Sequence, residues 1–165
     1  MLCAARLHKQ KNHALLIDAF ATMSTRAVLV LLGDGPEREA LVSKARERKV
    51  QDRVYFLGEV PNPYPLMRAA DVVVLASRWE GMGLVAVEAA ALGRPFIGTD
   101  VAGLREICGM LGQSVVPADD ASALSAELDS LLRKGPAVYD DAMLEPFEPA
   151  EVASHYLRLL IAPAP

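Results

Sequence analysis

Apolar residues in this chain fall into short unbroken runs that alternate with longer stretches of helical repeat. The clearest run is Ala27-Val28-Leu29-Val30-Leu31-Leu32, which Gly33-Asp34-Gly35-Pro36 interrupts. A continuous run of this kind reads as a parallel strand with helices over both faces. Shorter runs at 2–5, 53–57, 72–75, 95–98 and 114–116 bring the expected strands to about six. A helix is predicted over 13–23, with Asn12 as N-cap and Leu15, Leu16, Ala19 and Phe20 on one face. The segment 37–49, with Pro36 at its first turn, reads as a charged helix with a large exposed face. A short helix follows the turn Asn62-Pro63-Tyr64-Pro65 and reaches Ala70. Gly81-Met82-Gly83 opens an apolar helix over 84–92 that Gly93 closes. An amphipathic helix is expected over 121–133, then a last helix over 149–160 and a frayed tail over 161–165.

Six strands alternating with helices imply an α/β fold, Rossmann-like, with an open, mostly parallel sheet and helices on both faces. Such sheets take ligands at the carboxyl ends of their strands. The length of 165 residues suits one domain spanning 1–165. A net charge of −4 argues against a general nucleic-acid binder, which would normally show a basic stripe. No apolar run approaches the roughly 20 residues that would cross a bilayer. The first five residues are too short for the apolar core of a signal peptide, and Arg6 follows at once. Cys3 and Cys108 lie far apart without metal-ligand spacing, so a reducing, cytoplasmic compartment is expected.

The candidate chemistry lies in two loops. The first runs Trp79-Glu80-Gly81-Met82-Gly83-Leu84-Val85-Ala86-Val87-Glu88. Free backbone amides of Met82, Gly83 and Leu84 at a helix start, with the helix dipole, make an anion site suited to phosphate. A tight turn without a ligand accounts for the glycines equally well. Glu88 is the one carboxylate in an otherwise apolar helix, so it must be paired or face a wet cleft. It can accept from two vicinal hydroxyls at once, as a ribose diol requires. The alternative is a core salt bridge to Arg94 or Arg105. Glu80 faces another part of the same ligand, or is a solvated loop acid. The second loop is Arg6-Leu7-His8-Lys9-Gln10-Lys11-Asn12. Arg6 can grip a phosphate with its planar fork and Lys11 adds a point charge at a helix start; a solvated basic surface is the plainer reading.

Other features read as structure. Gly33-Asp34-Gly35 is a strand-to-helix turn on the ligand-binding edge, and Trp79 is a packing residue. Met67, Met110 and Met143 read as core filler. His8 and His13 can donate hydrogen bonds, and His155 has no evident partner. No P-loop, Cys/His metal cluster or Ser/His/Asp arrangement is present in the sequence.

Together these residues resemble the donor-binding, carboxyl-terminal half of the family 4 retaining glycosyltransferases, which have the GT-B fold. Arg6-Leu7 with Gln10-Lys11-Asn12 looks like that family's phosphate-binding segment. Gly33-Asp34-Gly35-Pro36 and Val54-Tyr55-Phe56-Leu57-Gly58 follow at the expected places. The blocks from Ala70 to Gly81 and from Glu88 to Pro95 complete the pattern, with Glu80 and Glu88 eight residues apart. Ala5 stands where the family has Gly, and Met82 where Phe is commoner.

The resemblance implies that Arg6 and Lys11 hold the diphosphate of a UDP- or GDP-linked sugar and stabilise the leaving nucleotide. It implies that Glu80 contacts sugar hydroxyls, and that Gly81, Met82, Gly83 and Leu84 meet phosphate and sugar through backbone amides. Glu88 would hold the ribose, and backbone at Gly58 and Val60 would flank the base. No cofactor or catalytic metal is expected, because side-chain cations and the helix start take that charge. Phe147 and Tyr156 resemble the terminal segment that packs across both domains of such enzymes. An amino-terminal acceptor-binding domain is the implied partner. Without it, the chain is expected to fold and hold a donor but not to complete a transfer. The whole enzyme would act in polysaccharide, glycolipid or lipopolysaccharide assembly, in peripheral contact with the inner face of a membrane. A non-catalytic nucleotide-sugar-binding module is the alternative. A nicotinamide-dependent dehydrogenase fits less well, because a basic segment follows the first strand where a Gly-x-Gly-x-x-Gly loop would stand.

Overall fold

A computed structural model of the chain describes residues 1–135, 141–148 and 151. Among these, six strands form one parallel sheet: β1 (Leu2–Ala4), β2 (Leu29–Leu32), β3 (Val54–Gly58), β4 (Val73–Leu75), β5 (Phe96–Thr99) and β6 (Ser114–Val116). Their order is β3-β2-β1-β4-β5-β6. The chain steps outward from β1 to β3, then crosses back to β4 on the other side of β1 and steps outward again. This reversal splays the connections at the carboxyl ends of β1 and β4 and leaves a crevice there.

Among the described residues, the α-helices that connect and cover the strands are α1 (His13–Thr22), α2 (Arg38–Glu47), α3 (Tyr64–Ala69), α4 (Leu84–Ala91), α5 (Leu104–Met110) and α6 (Ala121–Lys134). All residues of β4 and β5 are buried, as expected for central parallel strands covered on both faces. The edge strand β3 alternates instead, with Tyr55 and Leu57 about half exposed. α1 packs against α2 and α6, and α4 against α5 and β5. Leu7, Leu16, Ile17, Phe20, Leu29, Leu31, Val73, Leu104, Leu124 and Leu128 are fully buried between these layers. Each such apolar side chain contributes roughly 1.5–3 kcal/mol relative to exposure.

The structure departs from the sequence pattern in particular places. β2 starts at Leu29, since Ala27 and Val28 precede the ladder and Val28 is 47% exposed. α2 starts at Arg38, so Pro36 lies ahead of it. α5 falls where the pattern predicts no helix: it is seven residues long, flanked by glycines, and held by burial of Leu104, Ile107 and Cys108. Asn12 occupies the N-cap position of α1 and its carbonyl accepts from the Leu15 amide, but its side chain makes no cap bond: the backbone is left-handed (φ 49°) and the side-chain amide reaches Asp119. Trp79, Met110 and Met143 are not core residues; Trp79 is 56% exposed. Met67 is fully buried as expected. Phe147 lies in a single 3-10 turn, Glu145–Phe147, packed against the core. Apart from residue 151, the helix expected over 149–160 lies outside the described residues, as do the tail and His155. Among the described residues, no helix is long and apolar enough to cross a membrane.

Candidate functional site

The β1–α1 loop is fixed before it reaches solvent. The Ala5 amide donates to Leu32 and extends the sheet ladder, Leu7 is fully buried, and its amide donates to the Asp34 carbonyl. The Ala5 carbonyl crosses Gly33 so closely that a Cβ there would lie 2.3 Å from its oxygen. Gly33 is thus required by the approach of the neighbouring loop, which is what presents Arg6, between Ala5 and Leu7, to solvent.

The next residues zip the β1 loop to the β4 loop across the crevice. Gln10 Nε2 donates to the Trp79 carbonyl, and the Arg78 amide donates to the Gln10 carbonyl, each at 2.8 Å. Lys11 Nζ donates to Glu80 Oε1 at 2.5 Å. Asn12 Nδ2 donates to Asp119 Oδ1 at 2.9 Å, and Arg78 Nε reaches the same oxygen at 3.3 Å. Lys11 and Glu80, expected to face a ligand separately, are therefore partners. The Glu80 side chain is only 8% exposed, and its Oε1 also accepts from Ser77 Oγ at 2.6 Å.

Gly83 caps α4 at φ 66° and packs against Leu104, leaving no space for a Cβ. The turn brings Met82 and Leu84, each more than half exposed, to the lip of the crevice beside Trp79. Gly81 faces open space. α4 starts at Leu84, so its first amides lie at this turn, with Gly83 itself buried.

Glu88 lies one turn further, half-buried. Burial raises its carboxyl pKa, and the Tyr64 hydroxyl, donating to Oε1 at 3.5 Å, works in the opposite direction. The salt-bridge alternative is not realised among the described residues, where Arg105 pairs with Asp100. Tyr64 begins α3, and its amide donates to Asn62 Oδ1. The adjacent Pro63 lines a cleft with Ala4, Ala5, Leu32, Gly33 and Val60, and Glu59 is the charged residue in that lining. Gly58 bridges to Gly33 beside it. The predicted base-flanking residues Gly58 and Val60 thus adjoin the mouth of β1, and Tyr64 links this cleft to Glu88.

His8 is exposed and His13 buried. His8 Nδ1 accepts from the Gln10 amide at 3.4 Å and caps the 3-10 turn Lys9–Lys11. His13 is buried, with Nε2 3.6 Å from Cys3 Sγ. Burial, then the Lys11 charge, pushes its pKa down to about 4. Burial pushes both Cys3 and Cys108 up to about 12, so neither offers a thiolate.

Ser77, Asp119 and Tyr64 are the site residues that sequence reasoning missed. Ser77 left one trace, as a polar residue ending a buried run three positions before Glu80. Asp119 left none, because its bond to Asn12 spans 107 positions.

Comparison with known proteins bears on the family and the fold. A family model described as Glycosyl transferases group 1 matches residues 1–134. A Campylobacter jejuni protein, N-acetylgalactosamine-N,N'-diacetylbacillosaminyl-diphospho-undecaprenol 4-alpha-N-acetylgalactosaminyltransferase, is 35% identical over 79% of this chain and 33% of its own length. The putative glycosyltransferase EpsF of Bacillus subtilis is 41% identical over 58% of this chain and 26% of its own. The structure of Anabaena HepE in complex with UDP-glucose superposes with a TM-score of 0.75 and 26% identity, over 81% of this chain and 38% of that one. The lipopolysaccharide outer core galactosyltransferase WaaB shares the fold, with a TM-score of 0.85 at 21% identity over 96% of this chain and 48% of its own. The chain spans about a quarter to a third of the length of the curated relatives it matches.

Proposed function

This chain belongs to the group 1 glycosyl transferases, and on that premise we propose that it is the donor-binding domain of a retaining enzyme that moves a sugar from a UDP- or GDP-linked donor to a glycan or glycolipid acceptor. The observation that carries the reading is the Lys11–Glu80 pair, which ties a basic loop to an acidic one across the topological switch of the sheet. Around that pair stand the groups such a donor needs. Arg6 is an exposed guanidinium just after β1 with no ion pair among the described residues, the α4 amides supply partial positive charge, and Glu88 offers acceptors for a ribose diol. The cleft by Val60 and Pro63 takes the base.

As the bond from the anomeric carbon to the diphosphate breaks, its electron pair passes to the phosphate oxygen. Arg6, Lys11 and the α4 amides stabilise the charge that develops there. Lys11 has three N–H donors; one holds Glu80, and two remain for phosphate. On this reading the cationic side chains do the work that a catalytic metal would otherwise do. Acceptor recognition is assigned to a companion domain, and peripheral membrane contact to the whole enzyme.

The test is calorimetric titration of the chain with UDP, GDP and their sugar conjugates. Weak binding is expected, abolished by Glu88→Ala and by Lys11→Ala. Absence of heat at millimolar ligand would overturn the reading. That the fold resembles HepE bound to UDP-glucose supports UDP as the first ligand to try.

A further inference from the structure

We propose that Ser77 is a positioning residue that decides which oxygen of Glu80 reads the donor sugar; the inference rests on the reading of the site given above. Ser77 follows β4 and is fully buried. Its hydroxyl donates to Glu80 Oε1 at 2.6 Å, and the Lys11 ammonium donates to the same oxygen at 2.5 Å. A carboxylate oxygen has two lone pairs, so these bonds fill Oε1. The acceptor capacity left to a ligand is then on Oε2. The Ser77 peptide is itself fastened: the hydroxyl of Thr99, buried at the end of β5, donates to the Ser77 carbonyl. A chain of contacts thus runs from the sheet interior through Thr99 and Ser77 to Glu80 and out to Lys11.

A serine that merely fastened the loop would bond a backbone group, as Gln10 does at Trp79. Ser77 instead gives its one proton to a carboxylate already paired with a lysine. The result is a carboxylate with one side committed and one side presented. Ser77 touches no ligand in this arrangement and acts through Glu80.

The experiment measures dissociation constants of the full chain for UDP and UDP-glucose, and for GDP and GDP-mannose, by calorimetry. In the wild type, one sugar nucleotide binds more tightly than its parent nucleotide. Ser77→Ala is expected to reduce that ratio roughly tenfold while leaving the parent nucleotide within about twofold, since a hydrogen bond to a charged group is at stake. In a Glu80→Gln background Ser77→Ala is expected to change the ratio no further. Ser77→Cys, which keeps the volume and donates weakly, repeats the measurement should the alanine variant unfold. Equal weakening of nucleotide and sugar nucleotide would overturn the proposal, because it marks a purely structural role. Equal wild-type affinities would overturn it too, while leaving nucleotide binding intact. A wild type that binds neither pair would overturn the donor-site reading and this inference with it.

Discussion

Lys11 Nζ lies 2.5 Å from Glu80 Oε1, across 69 positions of sequence. The pair closes the crevice between β1 and β4 and sits between surface and core, with side chains 21% and 8% exposed. Exposed pairs contribute about 0–1 kcal/mol and breaking a buried one costs about 3–5 kcal/mol. Lys11→Met, which keeps much of the stem but strands Glu80, should therefore destabilise the fold by about 2 kcal/mol, because the Ser77 bond survives. Urea unfolding measures this, and an unchanged midpoint would show that the pair is solvated and loose. Nucleotide binding should be lost in the same variant.

Glu88 predicts a trade between stability and binding. Burial raises its carboxyl pKa, so the folded protein holds that proton more tightly than the unfolded chain. The stability that Glu88 permits is present in acid and declines as pH rises from the ordinary carboxylate pKa through the raised folded one. Glu88→Gln removes this decline. The variant should be at least as stable as wild type at neutral pH, and thermal unfolding between pH 4 and 7 should show a flatter profile. Its affinity for the nucleotide should fall at least about tenfold, because a neutral amide accepts less strongly from a ribose diol.

Asp129 carries the opposite pH dependence, far from the crevice. It is a buried residue on α6 that accepts from the Ser24 amide at 2.9 Å, the Ser24 hydroxyl at 2.7 Å and the Thr25 amide at 2.8 Å. Burial works to raise its pKa, but these bonds outweigh it and hold the carboxyl well below the usual carboxylate range. Its contribution is therefore full above the unfolded pKa and is lost as pH falls through the depressed folded one. Asp129→Asn should cost about 2–3 kcal/mol at pH 7 and reduce the acid sensitivity of unfolding. Nucleotide affinity should stay unchanged, and a loss there would show that the turn after α1 is coupled to the site.

What was legible in the sequence followed from how each residue is held. The six strands could be read because central parallel strands are buried at every position and mostly apolar, as β4 and β5 are. The turn that opens α4 and the partly buried place of Glu88 could be read because glycines and a lone carboxylate stand out in an apolar stretch. α5 could not, since seven residues between glycines carry too few turns for a repeat and are held by burial of Leu104 and Ile107. Trp79 was misread for a related reason. Its backbone carbonyl is fixed by Gln10, which turns an apolar side chain outward against its own preference. The family resemblance put Lys11 and Glu80 on one donor but could not show that they pair with each other, because that contact depends on the β1–β4 adjacency.

The same adjacency makes Asp119 testable as the outer clasp of the site. It accepts from Asn12, which is 6% exposed, and from Arg78, and so joins the β1 and β4 loops to the start of α6. Its backbone is left-handed, at φ 58°. Asp119→Ala loses the acceptor and also places a Cβ-bearing residue without a local polar contact in that conformation, for an expected cost of about 2–3 kcal/mol. Asp119→Gly loses the acceptor but relieves the conformation, so it should cost about 1 kcal/mol less than alanine. Both variants strand the Asn12 amide equally, so hydrogen exchange at the amides of residues 11 and 78 should accelerate alike in the two. If glycine instead restored wild-type exchange, backbone conformation and not the Asn12–Asp119 bond would be what holds the two loops together.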